Sequence, residues 1–208
     1  MSTAFSGRRE GIDSFDAQFW DERFEASFTP WDHGGVPAEL QHFVASAAAP
    51  RSTLIPGCGF AHELAYLRNA GWPATAIDFS AAAVKQARRI SPAWQADIVQ
   101  ADFFQFQPAQ ALTLIYERAF FCALPPDKRH AIVQGWAQLL APQGLLAGYF
   151  FIDNADAESA KKGPPFSVTR DALHGFMADH FELLEARSAS QSIAVFQDKE
   201  YWMVWQRR

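Results

Sequence analysis

The chain has 208 residues, enough for one domain with a sizeable core, and nearly half are apolar, which excludes a disordered polymer. Its 18 basic and 23 acidic side chains leave a mild negative charge with no basic stripe, so nucleic acid is not an expected partner. The two cysteines, Cys58 and Cys122, do not make a disulfide framework or a zinc site, and a reducing, cytoplasmic setting follows.

Residues 1–50 precede the first strand pattern and hold Trp20, Phe24, Phe28 and Trp31, too many aromatics for a free tail. They are expected to form a helical lid on a single domain spanning residues 1–208. Residues 43–50 contain small residues like those of a signal cleavage site, but they follow charged sequence and lack a preceding apolar core. Residues 52–56 form a short strand that ends at the turn Gly57-Cys58-Gly59. Residues 62–69 read as a helix with Leu64, Ala65 and Leu67 apolar, stopped by Gly71 and Pro73. Residues 74–78 form a second strand, and Ser80 offers an N-cap for a helix over 81–90.

Residues 98–101 and 112–116 are the third and fourth strands; the fourth is apolar throughout and belongs at the sheet centre. A helix over 127–140 is expected to stop at the turn residues Pro142-Gln143-Gly144. Residues 145–152 form a fifth strand, which is the longest apolar run and far too short to cross a bilayer. A helix over 170–179 and strands over 181–186 and 200–206 complete the chain. Strands alternating with helices imply an α/β fold with a mainly parallel sheet and helices on both faces.

In such a fold ligands bind at the carboxyl ends of the strands, where the strand order reverses. The glycines at Gly57 and Gly59 let backbone approach a ligand closely. Taken alone they are equally compatible with a tight strand-to-helix turn. Asp78 ends the second strand about 20 residues later, where a carboxylate accepts two hydrogen bonds from a ribose diol. The dinucleotide fingerprint wants a third glycine where His62 stands, and no phosphate-loop Gly-Lys-Ser/Thr follows. A nucleoside without phosphates fits better, and S-adenosylmethionine is the common one. On the third rim loop Asp102 can accept from an adenine amino group and Phe103 can stack on the ring. His33 and His62 are not spaced with other ligands, so no metal is expected.

The residues then fall into a pattern. Phe19-Trp20, Thr29-Pro30-Trp31-Asp32, Leu54-Ile55-Pro56-Gly57-Cys58-Gly59, Asp78-Phe79-Ser80, Asp102-Phe103-Phe104, Phe121-Cys122-Ala123 and Gly163-Pro164-Pro165-Phe166 resemble the thiopurine S-methyltransferase family. The pattern is most like the family's plant halide/thiol methyltransferase branch, in order over roughly residues 19–180. Arg118, followed by Leu124-Pro125-Pro126, instead resembles the thiopurine and bacterial branch. The resemblance implies the class I S-adenosylmethionine-dependent methyltransferase fold, Rossmann-like, with seven strands and the last antiparallel.

It also implies roles. Trp20 and Trp31 are aromatic cofactor-binding positions, and a tryptophan ring face attracts a sulfonium cation. Gly57 and Gly59 line the cofactor, Asp78 with Phe79 takes the ribose, Asp102 with Phe103 takes the adenine, and Glu117 joins the cofactor-binding set. Ile55 stands where class I methyltransferases often carry an acid, which leaves the cofactor's amino group without an evident partner. The expected chemistry is in-line methyl transfer to a small soft nucleophile: a thiol, thiopurine, halide, or selenium or tellurium compound. Arg118 would stabilise a thiolate, or alternatively make a structural ion pair with Glu117 or Asp153. Phe120, Phe121 and Phe151 would line the substrate pocket, or else pack in the core. The expected partner is a small-molecule acceptor, without nucleic acid or membrane, for a monomer or weak homo-oligomer. Two rival readings are a non-catalytic S-adenosylmethionine-binding protein and a nicotinamide-dependent oxidoreductase, the latter disfavoured by the missing glycine.

Overall fold

The computed structural model describes residues 14–154, 163–196 and 198–208. Its seven strands are β1 (Thr53–Pro56), β2 (Ala74–Asp78), β3 (Ile98–Gln100), β4 (Leu112–Arg118), β5 (Leu140–Phe151), β6 (Phe181–Ser188) and β7 (Glu200–Arg207). They form one sheet in the order β3-β2-β1-β4-β5-β7-β6. Only β7 runs against its neighbours, pairing antiparallel with both β5 and β6. From β1 the chain steps outward to β2 and β3, then returns to lay β4 on the other side of β1. The crevice between the carboxyl ends of β1 and β4 is therefore the switch point at which such sheets bind ligands.

Period-two alternation divides the core between the two faces. On one face Leu54, Ile77 and Ile115 pack with Ile132, Val133 and Trp136 of α5 (Arg129–Leu139) and with Leu173 and Met177 of α6 (Arg170–Met177). On the other, Ile55, Ala76, Leu114 and Tyr116 pack with Leu64 and Leu67 of α3 (His62–Asn69) and with Val84 and Ala87 of α4 (Ala81–Ile90). In β7 both faces are buried at Trp202, Met203, Val204 and Trp205.

The helix starts follow from local chemistry. Ser80 Oγ accepts the Ala83 N–H at 3.0 Å and opens α4, and Thr169 does the same for Ala172 in α6. The structure departs from the sequence reading at Pro142-Gln143-Gly144. These residues do not form a free turn between helix and strand but a bulge inside β5. Gln143 takes φ +63°, and the pairing jumps from Leu112↔Leu140 to Leu114↔Leu145.

The N-terminal segment divides in two. Helix α1 (Ala17–Glu25) lies against α4, and Phe19, Trp20 and Phe24 pack with Ala83. Helix α2 (Ala38–Ser46) covers a sheet face instead, with Leu40 fully buried beside Leu64 and Trp202. Glu39 anchors it there, accepting from the Tyr149 hydroxyl at 2.5 Å and the Ser190 N–H at 2.6 Å. Residues 1–13 of the expected lid lie outside the described residues.

Candidate active site

A cavity of about 1020 Å³ opens over the switch point, bounded by the ends of β1, β2 and β4, the residues after β3, α1 and the loop that follows α1. The turn after β1 shapes its floor. Gly57 (φ +58°), Gly59 (φ +52°) and Ala61 (φ +54°) all adopt left-handed backbone, a conformation glycine takes without steric cost. The Cys58 N–H donates to the Ile77 carbonyl and stitches the turn to β2. A Cβ at Gly57 would stand 2.7 Å from Phe120 Cδ2, so the close approach of the Phe120 ring requires a glycine there.

Asp78 joins two walls. One carboxylate oxygen accepts the Gly59 N–H at 3.0 Å and the other the Ser80 N–H at 2.9 Å. Each oxygen keeps a lone pair for a further donor. Burial raises this carboxyl to about pH 6, and the nearby Asp21 carboxylate adds to the rise. Hydroxyl donors from a vicinal diol would favour the ionised form. Asp21 was not singled out from the sequence. Its carboxylate accepts from the Ser80 hydroxyl at 2.6 Å and the Ala82 N–H at 2.9 Å, latching α1 onto the first turn of α4.

Phe79, Asp102 and Phe103 also line the cavity. Asp102 organises its own loop, accepting from the Phe104 N–H and the Gln105 side-chain amide, both at 2.9 Å. Phe103 meets Phe120 edge-on at 5.0 Å between ring centroids, and a Cβ at Gly135 of α5 would lie 2.7 Å from its Cε1. That contact gives Gly135 a role the sequence reading missed. Trp20 and Trp31 also line the cavity and are perpendicular at 5.2 Å, in one cluster with Phe79, and the Trp20 indole N–H donates to the Ser14 carbonyl.

Two ionic features complete the lining. His62 Nε2 and the Asp32 carboxylate approach to 3.4 Å, tying the loop after α1 to the start of α3. Asp32 raises the His62 imidazole above its ordinary value. Burial alone would raise the Asp32 carboxyl, but His62, the Gly34 N–H and Arg118 hold it below its ordinary range. Arg118, at the end of β4, keeps its side chain only 8% exposed, with its guanidinium 4.6 Å from the Tyr149 ring centroid and an ion pair to a Glu200 oxygen at 3.8 Å. Neither Nη atom finds a hydrogen-bond partner among the described residues. The ion pair expected with Glu117 or Asp153 forms instead with Glu200; one Glu117 oxygen accepts the Phe121 N–H, and Asp153 pairs with Lys199.

Three residues placed at the site by sequence lie off the cavity wall. Phe121 stacks on Trp136 in the core at 5.6 Å. Phe151 packs behind the wall against Cys122 and Phe196. Glu117 is sealed in the interior, and burial pushes its carboxyl up to about pH 8. Phe120, Cys122, Val195 and Phe196 line the cavity instead.

The sequence profile of the thiopurine S-methyltransferase family matches residues 15–208. The chain belongs to the thiopurine S-methyltransferase family. It is 28% identical to thiocyanate methyltransferase 1 of Brassica oleracea, over 90% of this chain and 84% of that protein. It is also 28% identical to the thiopurine S-methyltransferase of Shewanella woodyi, over 81% of this chain and 84% of that one. Among solved structures, magnesium protoporphyrin IX methyltransferase from Synechocystis PCC 6803 with bound SAM superposes with a TM-score of 0.71. That likeness covers 97% of this chain and all of the other at 14% identity, and it concerns the fold. As a member of this family the chain is an S-adenosylmethionine-dependent methyltransferase. Among the described residues no helix is long and apolar enough to cross a membrane.

Proposed function

We propose that the protein transfers the methyl group of S-adenosylmethionine to a small, soft, anionic nucleophile, a thiolate or thiocyanate-like anion in the first instance. The cavity suits the donor. Asp78 offers two carboxylate oxygens to a ribose diol, Asp102 and Phe103 lie one strand further along the rim, and Trp20 and Trp31 line the same cavity. When bound, the sulfonium supplies an already activated methyl group, so the chain needs no nucleophile of its own. Cys122 agrees with this: burial pushes its thiol well up, and it serves as a piece of wall.

The observation that carries the acceptor assignment is Arg118. Its buried guanidinium borders the cavity with neither Nη atom hydrogen-bonded among the described residues and only a long 3.8 Å ion pair to Glu200, in a cavity that Phe120, Val195 and Phe196 also line. A fixed cation in a dry wall lowers the cost of bringing an anion out of water and holds a thiol in its ionised form. The aromatic walls keep water from the nucleophile. Positioning of this kind contributes up to roughly 7–11 kcal/mol in favourable cases. The plant and bacterial relatives are named for thiocyanate and thiopurine, both sulfur acceptors, and this supports the reading. Cys58 and Cys122 are free and buried, which supports a reducing cytoplasmic setting.

Arg118→Ala tests the assignment. We expect kcat/KM for an anionic acceptor to fall about 10²–10³-fold, the cost of removing one fixed charge-stabilising donor, while S-adenosylhomocysteine affinity stays within about threefold. Unchanged turnover in the folded variant would remove Arg118 from the reaction.

A further inference from the structure

Glu63 is a buried acid with no part in the nucleoside or acceptor contacts. It stands in the first turn of α3, four residues after Gly59, only 8% exposed, and it lines the cavity. Apart from its own backbone N–H, no hydrogen-bond partner reaches its carboxylate among the described residues, and no ion pair closes on it there. The charges that act on it, Arg118, His62 and Asp32, all border the same cavity. Of the two cations, His62 is committed to Asp32, and Arg118 has Glu200 as its nearest carboxylate. Burial raises the Glu63 carboxyl above its ordinary range and outweighs Arg118, its own backbone N–H and His62, which act to lower it.

A buried carboxylate that borders a cavity is compensated when a hydrogen-bonding cation binds there. The strand end supplies no competing acid, because Ile55 and Pro56 precede Gly57. The cofactor offers two cations: the sulfonium, which has no N–H to donate, and the α-ammonium, which has three. Only the ammonium matches a carboxylate as a hydrogen-bond donor. We propose that Glu63, working from the first turn of α3 rather than from the end of β1, receives the α-ammonium of the cofactor's amino-acid portion.

The inference rests on the S-adenosylmethionine reading, and binding measurements separate the two. Wild-type protein is titrated calorimetrically with S-adenosylhomocysteine, with its des-amino analogue, and with 5′-methylthioadenosine, which keeps the nucleoside and lacks the amino acid. Wild-type protein should prefer S-adenosylhomocysteine over the des-amino analogue by about tenfold or more, the order that one charged hydrogen bond contributes. In Glu63→Gln that preference should collapse while 5′-methylthioadenosine binds within about twofold of wild type. The last titration also reports that the variant is folded. No preference for the amino group in the wild type overturns the proposal without needing a variant. Retention of the preference in Glu63→Gln, or an equal loss for all three ligands, also overturns it. Failure of the wild type to bind any of the three would remove the cofactor reading, and this inference with it.

Discussion

Replacing Gly57 with alanine adds one methyl group at the point where the turn after β1 meets the Phe120 ring. Two costs follow from the geometry. Alanine must hold φ near +58°, which costs about 1–2 kcal/mol for an L-residue. Its Cβ would lie 2.7 Å from Phe120 Cδ2, well inside the roughly 3.5–4.0 Å of an ordinary carbon contact. The ring cannot withdraw freely, because Phe103 stands against it at 5.0 Å. Overpacking of this kind costs about 1–3 kcal/mol. The sum, roughly 2–5 kcal/mol, lowers the melting temperature by on the order of 10 °C for a chain of this length. Gly59→Ala is the internal control. Its φ is +52°, but a Cβ there meets only the Phe24 ring, at the ordinary contact distances of 3.5 and 4.0 Å, so only the backbone cost remains. Thermal melts of both variants, and of Gly57→Ala combined with Phe120→Ala, separate the two costs. The double variant should lose less than the sum of its parts, because the truncated side chain relieves the overlap. Equal losses for Gly57→Ala and Gly59→Ala would refute the reasoning.

Asp78→Ala should weaken S-adenosylhomocysteine and 5′-methylthioadenosine alike by roughly 1.5–3 kcal/mol, since both carry the ribose; unchanged titrations in a folded variant would place the ribose elsewhere. Asp21→Ala removes the acceptor that holds α1 to Ser80 and Ala82, so limited proteolysis should cut within α1 faster and stability should fall by about 1 kcal/mol; an unaltered cleavage rate would show that the aromatic packing alone secures the helix. The Asp32–His62 pair gives a pH signature. Asp32 is held low, so its contribution is present above the usual carboxylate range and lost as pH falls. His62 is held high, so its contribution is full below about pH 6.5 and lost as pH rises through its raised value. The melting-temperature difference between wild type and Asp32→Asn should therefore be largest near pH 5–6 and shrink above neutrality; a difference constant from pH 5 to 9 would contradict it.

Local chemistry made much of the fold legible. The extents of α3, β2 and α4 follow from glycine and proline stops and from the Ser80 cap, all within a few residues of the element they bound. Pro142-Gln143-Gly144 was misleading because turn residues also build bulges, and only the pairing of β5 with β4 distinguishes the two. In the site, the glycine turn, Asp78 and the rim after β3 could be placed from strand order alone. Phe121 and Phe151 could not be assigned to wall or core, since that depends on which side of the chain after β4 and of β5 faces the cavity. Asp21 and Glu200 act on partners 59 and 82 residues away in sequence, Ser80 and Arg118, so no local pattern marks them. Glu63 carried a signal that was available: an acid just past a glycine turn whose strand end has none.

Methyl transfer itself tests the central claim most directly. Purified protein incubated with methyl-labelled S-adenosylmethionine and, separately, thiocyanate, small alkyl thiols and thiopurines should yield labelled sulfur-methylated product. The yield should depend on Arg118 and rise with pH as the acceptor thiol ionises. Tight binding of the cofactor with no labelled product from any sulfur acceptor would contradict it.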